Sequence, residues 1–361
     1  MTRAAPLLPV VFRIPVTRQA QDVVSVLAGT CSLEDPREGG DQVVWRWSKK
    51  RTGQLILNLT RVPGLSISSL DDANVFTQML ARDGLLLLLS LHRLLHQEGY
   101  PDHLVAEPAH LVGSTRWMAA VRRQGRPAVC THVQGCLRAA GALTMTWDHN
   151  GCDDMRPLVG WDPARGRMSL PEPLRPDGRR RRFTWVPEAL LEVPPRTLGL
   201  GVHLLLHYAN SHARLRDHES VRLKTSTLWN WAAIRQGRDT PRSRWAAATD
   251  ALTSQLVALH EVGIVKGWSS LKPTAGAVCE VSPPDWWMAA RAGSATLPTV
   301  SLAGTPRDGP GLRNWRVSHG LKQRDVANIV GVSQASVSKA EHRDALPREW
   351  RCRLCDHSRS R

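Results

Sequence analysis

Apolar side chains recur at three- and four-residue intervals in several stretches of the chain, and this is the period of a buried helix face. The longest stretch runs from Asp71 to His96 and is rich in leucine; a shorter one runs from Leu198 to His212. Two further stretches keep the spacing, one through Cys130, Val133, Leu137 and Ala140, the other through Trp245, Ala248, Leu252, Leu256 and Leu259. The pattern therefore predicts two long apolar helices, each followed by a second amphipathic helix.

Shorter stretches alternate between apolar and polar residues, which is the period of a half-buried strand. Residues 43–62 alternate on both sides of Lys49–Gly53 and predict a β-hairpin packed on the first of two repeated units. Each amphipathic helix is also followed by a predicted two-stranded wing with turn-forming residues between its strands. The predicted pairs are 142–147 with 158–161, and 264–268 with 277–281.

The motif S-T-x-W-x-x-A-x-x-R-Q-G-R occurs twice, beginning at Ser114 and at Ser226, 112 residues apart. Both copies lie between an apolar helix and an amphipathic one. We interpret each as a short helix that carries Trp117 or Trp229 and ends at Gly125 or Gly237, because glycine tolerates the positive φ of many helix ends. The chain is therefore predicted to use one structural unit twice, with the tryptophans in the two cores rather than stacked on bases.

Three helices followed by a two-stranded wing is the winged-helix order, which places the longer helix in a DNA major groove. Arg126 and Arg238 are predicted at the turn before that helix, where a cationic side chain beside free helix N–H groups binds phosphate. The alternative is a solvated helix end. The other arginines predicted to contact DNA are Arg122, Arg123 and Arg138 in the first repeat, and Arg235, Arg242 and Arg244 in the second.

Residues 312–343 resemble the helix-turn-helix of the Cro and phage-repressor family, through Gly320–Gln323, Val326–Ala327, Gly331–Ser333, Val337–Ser338 and Glu341. The family usually has a small residue at Lys322 and a glycine at His342. The spacing predicts Val326, Ala327 and Val337 in the core, with a turn at Gly331. The residues expected to contact DNA are Gln334, Ala335, Ser338 and Lys339 on the exposed face, with Ser333, Ser336 and Gln323, the last meeting phosphate or supporting Gln334. The alternative is a helical cap without DNA contact.

The predicted fold class is mainly α with small β wings (α+β). It comprises two tandem winged-helix domains and a C-terminal helix-turn-helix bundle. The Pro- and Arg-rich linker includes Arg179–Arg182, which fit either a minor-groove arm or a solvated charge run. The predicted boundaries are an N-terminal extension with the hairpin (1–65), winged helix 1 (66–165), the Pro/Arg-rich linker (166–195), winged helix 2 (196–290), a flexible linker (291–310) and the helix-turn-helix (311–361).

Charge agrees with a nucleic-acid partner. The 361 residues carry 48 Lys and Arg against 32 Asp and Glu, a formal charge of +16. Arginine dominates, and its planar guanidinium suits phosphate and guanine. A basic surface also fits RNA or an anionic membrane, but no apolar run approaches 18 residues and no signal-peptide pattern is visible. Seven scattered cysteines fit a reducing compartment. The expectation is a cytoplasmic, nucleoid- or plasmid-associated protein bound to double-stranded DNA and not to membranes.

Signatures of catalysis are missing from the sequence. There is no phosphate-binding G-x-x-x-x-G-K-[ST] loop, and His203 and His207 lack the glutamate of a zinc-protease motif. Cys352, Cys355 and His357 match only half of a zinc-binding motif, whereas a structural zinc site requires four ligands. The prediction is a protein that is not an enzyme, with no metal and no cofactor.

The combination of two related units is similar to plasmid-type replication initiators. The resemblance is architectural over residues 43–290; Gly263-Ile264-Val265 match the family's helix stop, and Gly141-Ala142-Leu143 depart from it. It implies binding to repeated origin sites, opening of AT-rich DNA, homodimers that repress the chain's own promoter, and a host helicase or loader as partner. A Cro-type domain is not the family's usual pattern, so a phage- or plasmid-type transcription regulator stays as the alternative.

Overall fold

The chain divides into two compact units in a computed structural model. The large unit holds Met1–Leu94 and Asp102–Thr299, and the terminal unit holds Leu95–Pro101 and Val300–Arg361. The structure describes residues 9–30, 37–39, 42–48, 52–58, 70–113, 115–147, 156–171, 174–175, 183–211, 215, 219–234, 243–274, 276–292, 305–318 and 321–359.

The N-terminal region contributes one short helix and four strands. Thr17 begins the helix, because its hydroxyl accepts a hydrogen bond from the amide of Ala20 at 3.1 Å. The elements are β1 (Val11–Pro15), α1 (Arg18–Leu27), β2 (Arg37–Gly39), β3 (Gln42–Ser48) and β4 (Thr52–Asn58).

The first repeat is built on one long helix whose leucines form much of the core. The helix predicted for 71–96 is confirmed with bounds Leu70–Gln97. The elements of the repeat are α2 (Leu70–Gln97), β5 (Leu104–Val105), α3 (Pro108–Val112), α4 (Trp117–Gln124), α5 (Arg126–Ala142), β6 (Leu143–Trp147), β7 (Arg156–Pro157), β8 (Gly160–Asp162) and β9 (Arg167–Ser169).

Two sheets accompany the first repeat. The predicted hairpin is confirmed, since β3 and β4 pair antiparallel with Val44 opposite Ile56, and they lie in a five-stranded sheet of order β2-β3-β4-β6-β7. The wing predicted between 142–147 and 158–161 is found only in part. Strand β6 pairs antiparallel with β7, and the amide of Leu158 donates to the carbonyl of Leu143 at 2.8 Å, but β6 also pairs with β4. Residues 160 and 161 instead belong to β8, which pairs with β9 in a separate sheet of order β5-β9-β8. The alternating pattern predicted these strands, but it does not specify which of several strands in the same unit each one pairs with.

The second repeat follows a strand and a short 3-10 helix. Its first helix packs closely on its neighbours: a Cβ at Gly201 would lie 2.8 Å from side-chain atoms of Leu190 and Leu259, so a larger residue would require these leucines to shift. The elements are β10 (Phe183–Pro187), the 3-10 helix (Glu188–Glu192), α6 (Pro195–Asn210), β11 (Val221–Lys224), α7 (Thr225–Trp231), α8 (Ser243–Glu261), β12 (Gly267–Trp268), β13 (Val278–Ser282) and α9 (Asp285–Arg291).

The wing predicted after the second amphipathic helix is confirmed. Strand β12 pairs antiparallel with β13, and β13 also pairs with β11, so the sheet has the order β11-β13-β12. The apolar stripe predicted for α8 is likewise found in the core, where Leu252, Leu256 and Leu259 are fully buried.

Much of the predicted linker 166–195 is folded, and so is the beginning of the predicted N-terminal extension. Residues 166–195 were expected to link the repeats, but they include β9, β10 and the 3-10 helix, and Leu190 and Leu191 are fully buried. The N-terminal extension is divided between the two repeats. Its hairpin pairs with β6 of the first repeat, whereas β1 pairs with β10 and the side chain of Thr30 hydrogen-bonds His203 of α6. Proline and arginine content marked residues 166–195 as a linker, yet the alternate apolar residues of this segment complete the core.

The terminal unit is a small helical bundle that includes the end of α2. Its helices are α10 (Gly309–Ser318), α11 (Gln323–Val330), α12 (Gln334–Ala340) and α13 (Arg348–Arg359). It begins before the predicted boundary at 311, and Thr305 is already buried. Within this unit both guanidinium Nη atoms of Arg351 donate to the buried carboxylate of Glu98. Of the predicted linker 291–310, residues 293–304 lie outside the described residues.

Mainly helical structure with small antiparallel sheets agrees with the predicted α+β class. Within the described part of the chain, no helix combines the length and the apolar character needed to cross a membrane.

Candidate nucleic-acid interface

The predicted turn between α11 and α12 is confirmed. Gly331 follows α11 with φ +68°, a left-handed conformation that suits glycine, and its amide donates to the carbonyl of Ala327. Ser333 then caps α12, because its hydroxyl accepts from the amide of Ser336 at 3.2 Å. The two helices are thus joined by a tight turn, as a helix-turn-helix requires.

One side of α12 packs into the bundle and the other faces solvent. Val337 and Ala340 are buried together with Val326, Ala327 and Val330 of α11. Ser336 is half-buried, and its hydroxyl lies 2.9 Å from that of Ser333. The exposed residues of this segment are Ser333, Gln334, Ala335, Ser338 and Lys339, so every residue predicted to read bases is accessible.

Gln323 has a structural partner. Its side-chain amide donates to Glu341 Oε2 at 2.8 Å, and Arg316 Nε donates to Glu341 Oε1 at 2.7 Å. Burial by itself would raise the pKa of Glu341, but the hydrogen bonds from Arg316 and Gln323 outweigh it and hold this pKa below its ordinary value. Gln323 therefore ties the start of α11 to the end of α12, and its described contacts do not include Gln334.

The first repeat exposes a basic turn between α4 and α5. Gly125 has φ +85° there, and its amide donates to the carbonyl of Val121. Residues 122–128 are all exposed, and this basic turn carries Arg122, Arg123 and Arg126 at the N-terminus of α5. Arg138 is exposed farther along α5.

The equivalent turn of the second repeat falls outside the described residues, which leaves Arg235, Gly237, Arg238 and Arg242 without a structural account. Arg244 is exposed in the first turn of α8. The predicted short helix that ends at Gly237 is wrong in extent, because α7 ends at Trp231 and Ala233 already has φ +52°. The run Arg179–Arg182 also lies outside the described residues.

A buried ion cluster that sequence analysis missed holds the basic turn in place. Asp83 of α2 accepts from Arg116 Nη2 at 2.6 Å and lies 3.0 Å from His132 Nε2 of α5. Burial alone would raise the pKa of Asp83, but hydrogen bonds from His132 and Arg116 lower it below its ordinary value. The sequence signal that could have revealed this cluster is Asp83 itself, a charged residue at an apolar position of the α2 pattern.

The described residues show no constellation for metal chemistry or for a reactive thiol. No group of three or more His, Cys, Asp or Glu side chains among them can hold a metal ion. Cys136 lies 3.6 Å from His132 Nε2, which resembles a nucleophile beside a base. Burial, followed by the charge of Asp83, raises the pKa of Cys136 to about 12, so this thiol stays protonated and unreactive.

Comparison with known proteins adds no relative: no protein-family model, no curated protein and no solved structure matches the chain. Two exposed surfaces of the described residues are candidates for binding: the α12 face and the basic turn.

Proposed function

We propose that this chain is a sequence-specific binder of double-stranded DNA that acts without catalysis. The observation that carries the proposal is the exposed face of α12, with Gln334, Ala335, Ser338 and Lys339 beside a capped turn. Glutamine and serine donate and accept hydrogen bonds at base edges, and a lysine donates to guanine or phosphate. Residues 301–361 also hold twice as many Arg and Lys as Asp and Glu, which suits a polyanion.

The two repeats are winged-helix domains in this proposal. In the second repeat a helix, a strand, two helices and two strands follow in order, and the first strand pairs with the third. The first repeat has a sheet of the same strand order, β5-β9-β8, although β6 and β7 are inserted. This arrangement makes α5 and α8 the helices that enter a groove, and it assigns the basic turn to phosphate.

The biological role that fits best is plasmid-type replication initiation. Two tandem DNA-binding repeats suit an origin with repeated sites, and homodimers and a host helicase or loader are the partners that this role would require. The protein would then work in the cytoplasm on plasmid DNA. The helix-turn-helix of the terminal unit favours the alternative, a transcription regulator, because domains of this kind recognise operators as dimers.

The test of base readout substitutes Gln334→Ala after a site has been selected from random duplexes. Loss of the glutamine's paired hydrogen bonds should weaken binding to the selected site by about 1–3 kcal/mol and leave binding to random duplex unchanged. Gln21→Ala removes the same side chain from α1 and is the matched control. Equal losses on selected and random DNA, or a selection without a consensus, would contradict the proposal.

The selected site also separates the two roles. Tandem direct repeats of that site beside an AT-rich block in the neighbouring DNA favour the initiator, whereas an isolated inverted repeat at a promoter favours the regulator.

A further inference from the structure

Two arginines of the large unit lie on aromatic rings. The guanidinium carbon of Arg13 is 4.4 Å from the centre of the Phe183 ring, and that of Arg291 is 5.0 Å from the Trp185 ring and 5.3 Å from the Trp287 ring. Phe183 and Trp185 meet edge to face at 5.2 Å. We call Arg13, Phe183, Trp185 and Arg291 the arginine–aromatic patch.

Strand pairing explains why these side chains share a surface. Arg13 of β1 is opposite Trp185 of β10, and Phe183 follows on the same face because alternate strand residues point the same way. Their neighbours Phe12, Thr184 and Val186 point to the other face and are buried, whereas all four patch residues keep partial exposure. Arg291 reaches the ribbon from the last position of α9.

No carboxylate among the described residues neutralises the charge of Arg291. Among the described residues no carboxylate lies within ion-pair distance of it; its guanidinium donates to the carbonyl of Phe183, and its Nε has no hydrogen-bond partner. Burial lowers the pKa of this group, as expected for a cation removed from water without compensation. Ring faces compensate it only in part, so an arriving anion would be attracted strongly.

The surrounding chain indicates which anion fits. Four arginines, Arg179–Arg182, directly precede Phe183 in the sequence, and this run of positive charge favours a ligand that carries several negative charges. A guanidinium group over a ring can present a planar cationic face to a base and N–H edges to a phosphate. Unpaired bases can stack on such faces, whereas those of a duplex are already stacked on each other.

We propose that the arginine–aromatic patch binds single-stranded nucleic acid. Bases stack on Trp185 and on the guanidinium of Arg13, while Arg291 binds a phosphate. This site uses none of the residues assigned to duplex DNA, so its test does not depend on the proposed duplex function.

The test measures binding of the full-length chain to fluorescent oligothymidine, oligouridine and random duplex DNA by anisotropy. Arg291→Gln should weaken single-strand binding at least about fivefold, since the phosphate contact is lost and Trp185 loses the guanidinium that packs on it, and change duplex binding less than twofold. Arg196→Gln removes the same charge from an exposed position of α6 and should change neither. A preference between oligothymidine and oligouridine distinguishes a DNA ligand from an RNA ligand.

Cross-linking provides a measurement that needs no folded variant. Oligothymidine carrying 5-iododeoxyuridine is irradiated on the unaltered chain, and the modified peptides are identified by mass spectrometry. Adducts at Phe183 or Trp185 are expected. Adducts found only elsewhere, or equal losses of single-strand binding in Arg291→Gln and Arg196→Gln, would overturn the proposal.

Discussion

The two repeats of the large unit bury the same motif tryptophan in different local structures. Trp117 is 4% exposed and Trp229 is 2% exposed, and each ring nitrogen is buried without a hydrogen-bond partner. Yet Trp117 is the first residue of α4, whereas Trp229 lies near the end of α7. The shared sequence therefore determines which ring enters the core, and the surroundings determine where the helix begins and ends.

The surroundings differ in chemistry. In the first repeat Arg116, next to the tryptophan, is tied to Asp83 in a buried ion pair. The position 112 residues later is Leu228, which is fully buried, and the counterparts of Asp83 and His132 are Pro195 and Arg244. One repeat thus anchors its motif by charge and the other by apolar packing.

The largest expected effect comes from breaking the charged anchor. Asp83→Asn keeps the shape of the side chain but leaves Arg116, whose side chain is 15% exposed, without its counterion. Removing one partner of a buried pair costs about 3–5 kcal/mol. We expect the free energy of unfolding to fall toward the lower end of that range, because water reaches part of His132, and urea unfolding followed by circular dichroism measures it.

The pH dependence sharpens the comparison with Leu228→Ala, the matched variant of the apolar anchor. The folded pKa of Asp83 lies below its ordinary value of 3.8, so its contribution is complete above that pH and is lost as the pH falls through the lowered pKa. The cost of Asp83→Asn should therefore shrink in acid, while that of Leu228→Ala, about 2–5 kcal/mol, should not. Parallel behaviour of the two variants would refute a charged anchor.

Patterns local in sequence predicted the elements that local interactions determine. The leucine period indicated α2 and α8, alternation indicated the β3–β4 hairpin, and Gly331 with Ser333 indicated the turn before α12. Each of these follows from residues a few positions apart, whose effects do not depend on the rest of the chain.

Long-range pairing was the part that the sequence did not reveal. Pairing of β1 with β10 joins residues more than 160 positions apart, and Glu98 meets Arg351 across an even longer separation. Nothing in an alternating stretch specifies its partner strand, and a lone glutamate near a helix end does not specify its arginine. Of the candidate site, exposure of the α12 face was predictable, whereas the bond between Gln323 and Glu341 was not.

The basic turn of the first repeat gives the next prediction, which depends on the proposed duplex function. Arg126→Gln should weaken binding to all duplexes about equally and reduce the slope of log affinity against log salt by about one, because one phosphate contact is lost with its released counterions. Anisotropy titrations at several salt concentrations measure this slope.

Arg244→Gln tests the second repeat in the same way. The exposed side of α8 also carries Asp250 and Glu261, whereas α5 exposes Thr131 and Arg138, so a smaller change in slope is expected. An unchanged slope in the Arg126 variant would make the basic turn structural and the proposed docking of the first repeat wrong.

The smallest expected effect concerns the helix end that distinguishes the repeats. Ala233 has φ +52°, and its amide donates to the carbonyl of Asn230 at 3.0 Å, so the chain leaves α7 through a left-handed residue. A side chain with a Cβ disfavours that conformation by about 1–2 kcal/mol, and glycine relieves it at the cost of about 0.4–1 kcal/mol of added freedom in the unfolded chain. Ala233→Gly should therefore raise the free energy of unfolding by up to about 1 kcal/mol.

Ala120→Gly is the control in the first repeat. Ala120 lies inside α4, so this variant should instead lower the free energy of unfolding by about 1 kcal/mol, since glycine is unfavourable within a helix. Two variants that shift stability in the same direction would mean that both motifs end their helices alike, which would remove the local difference between the repeats.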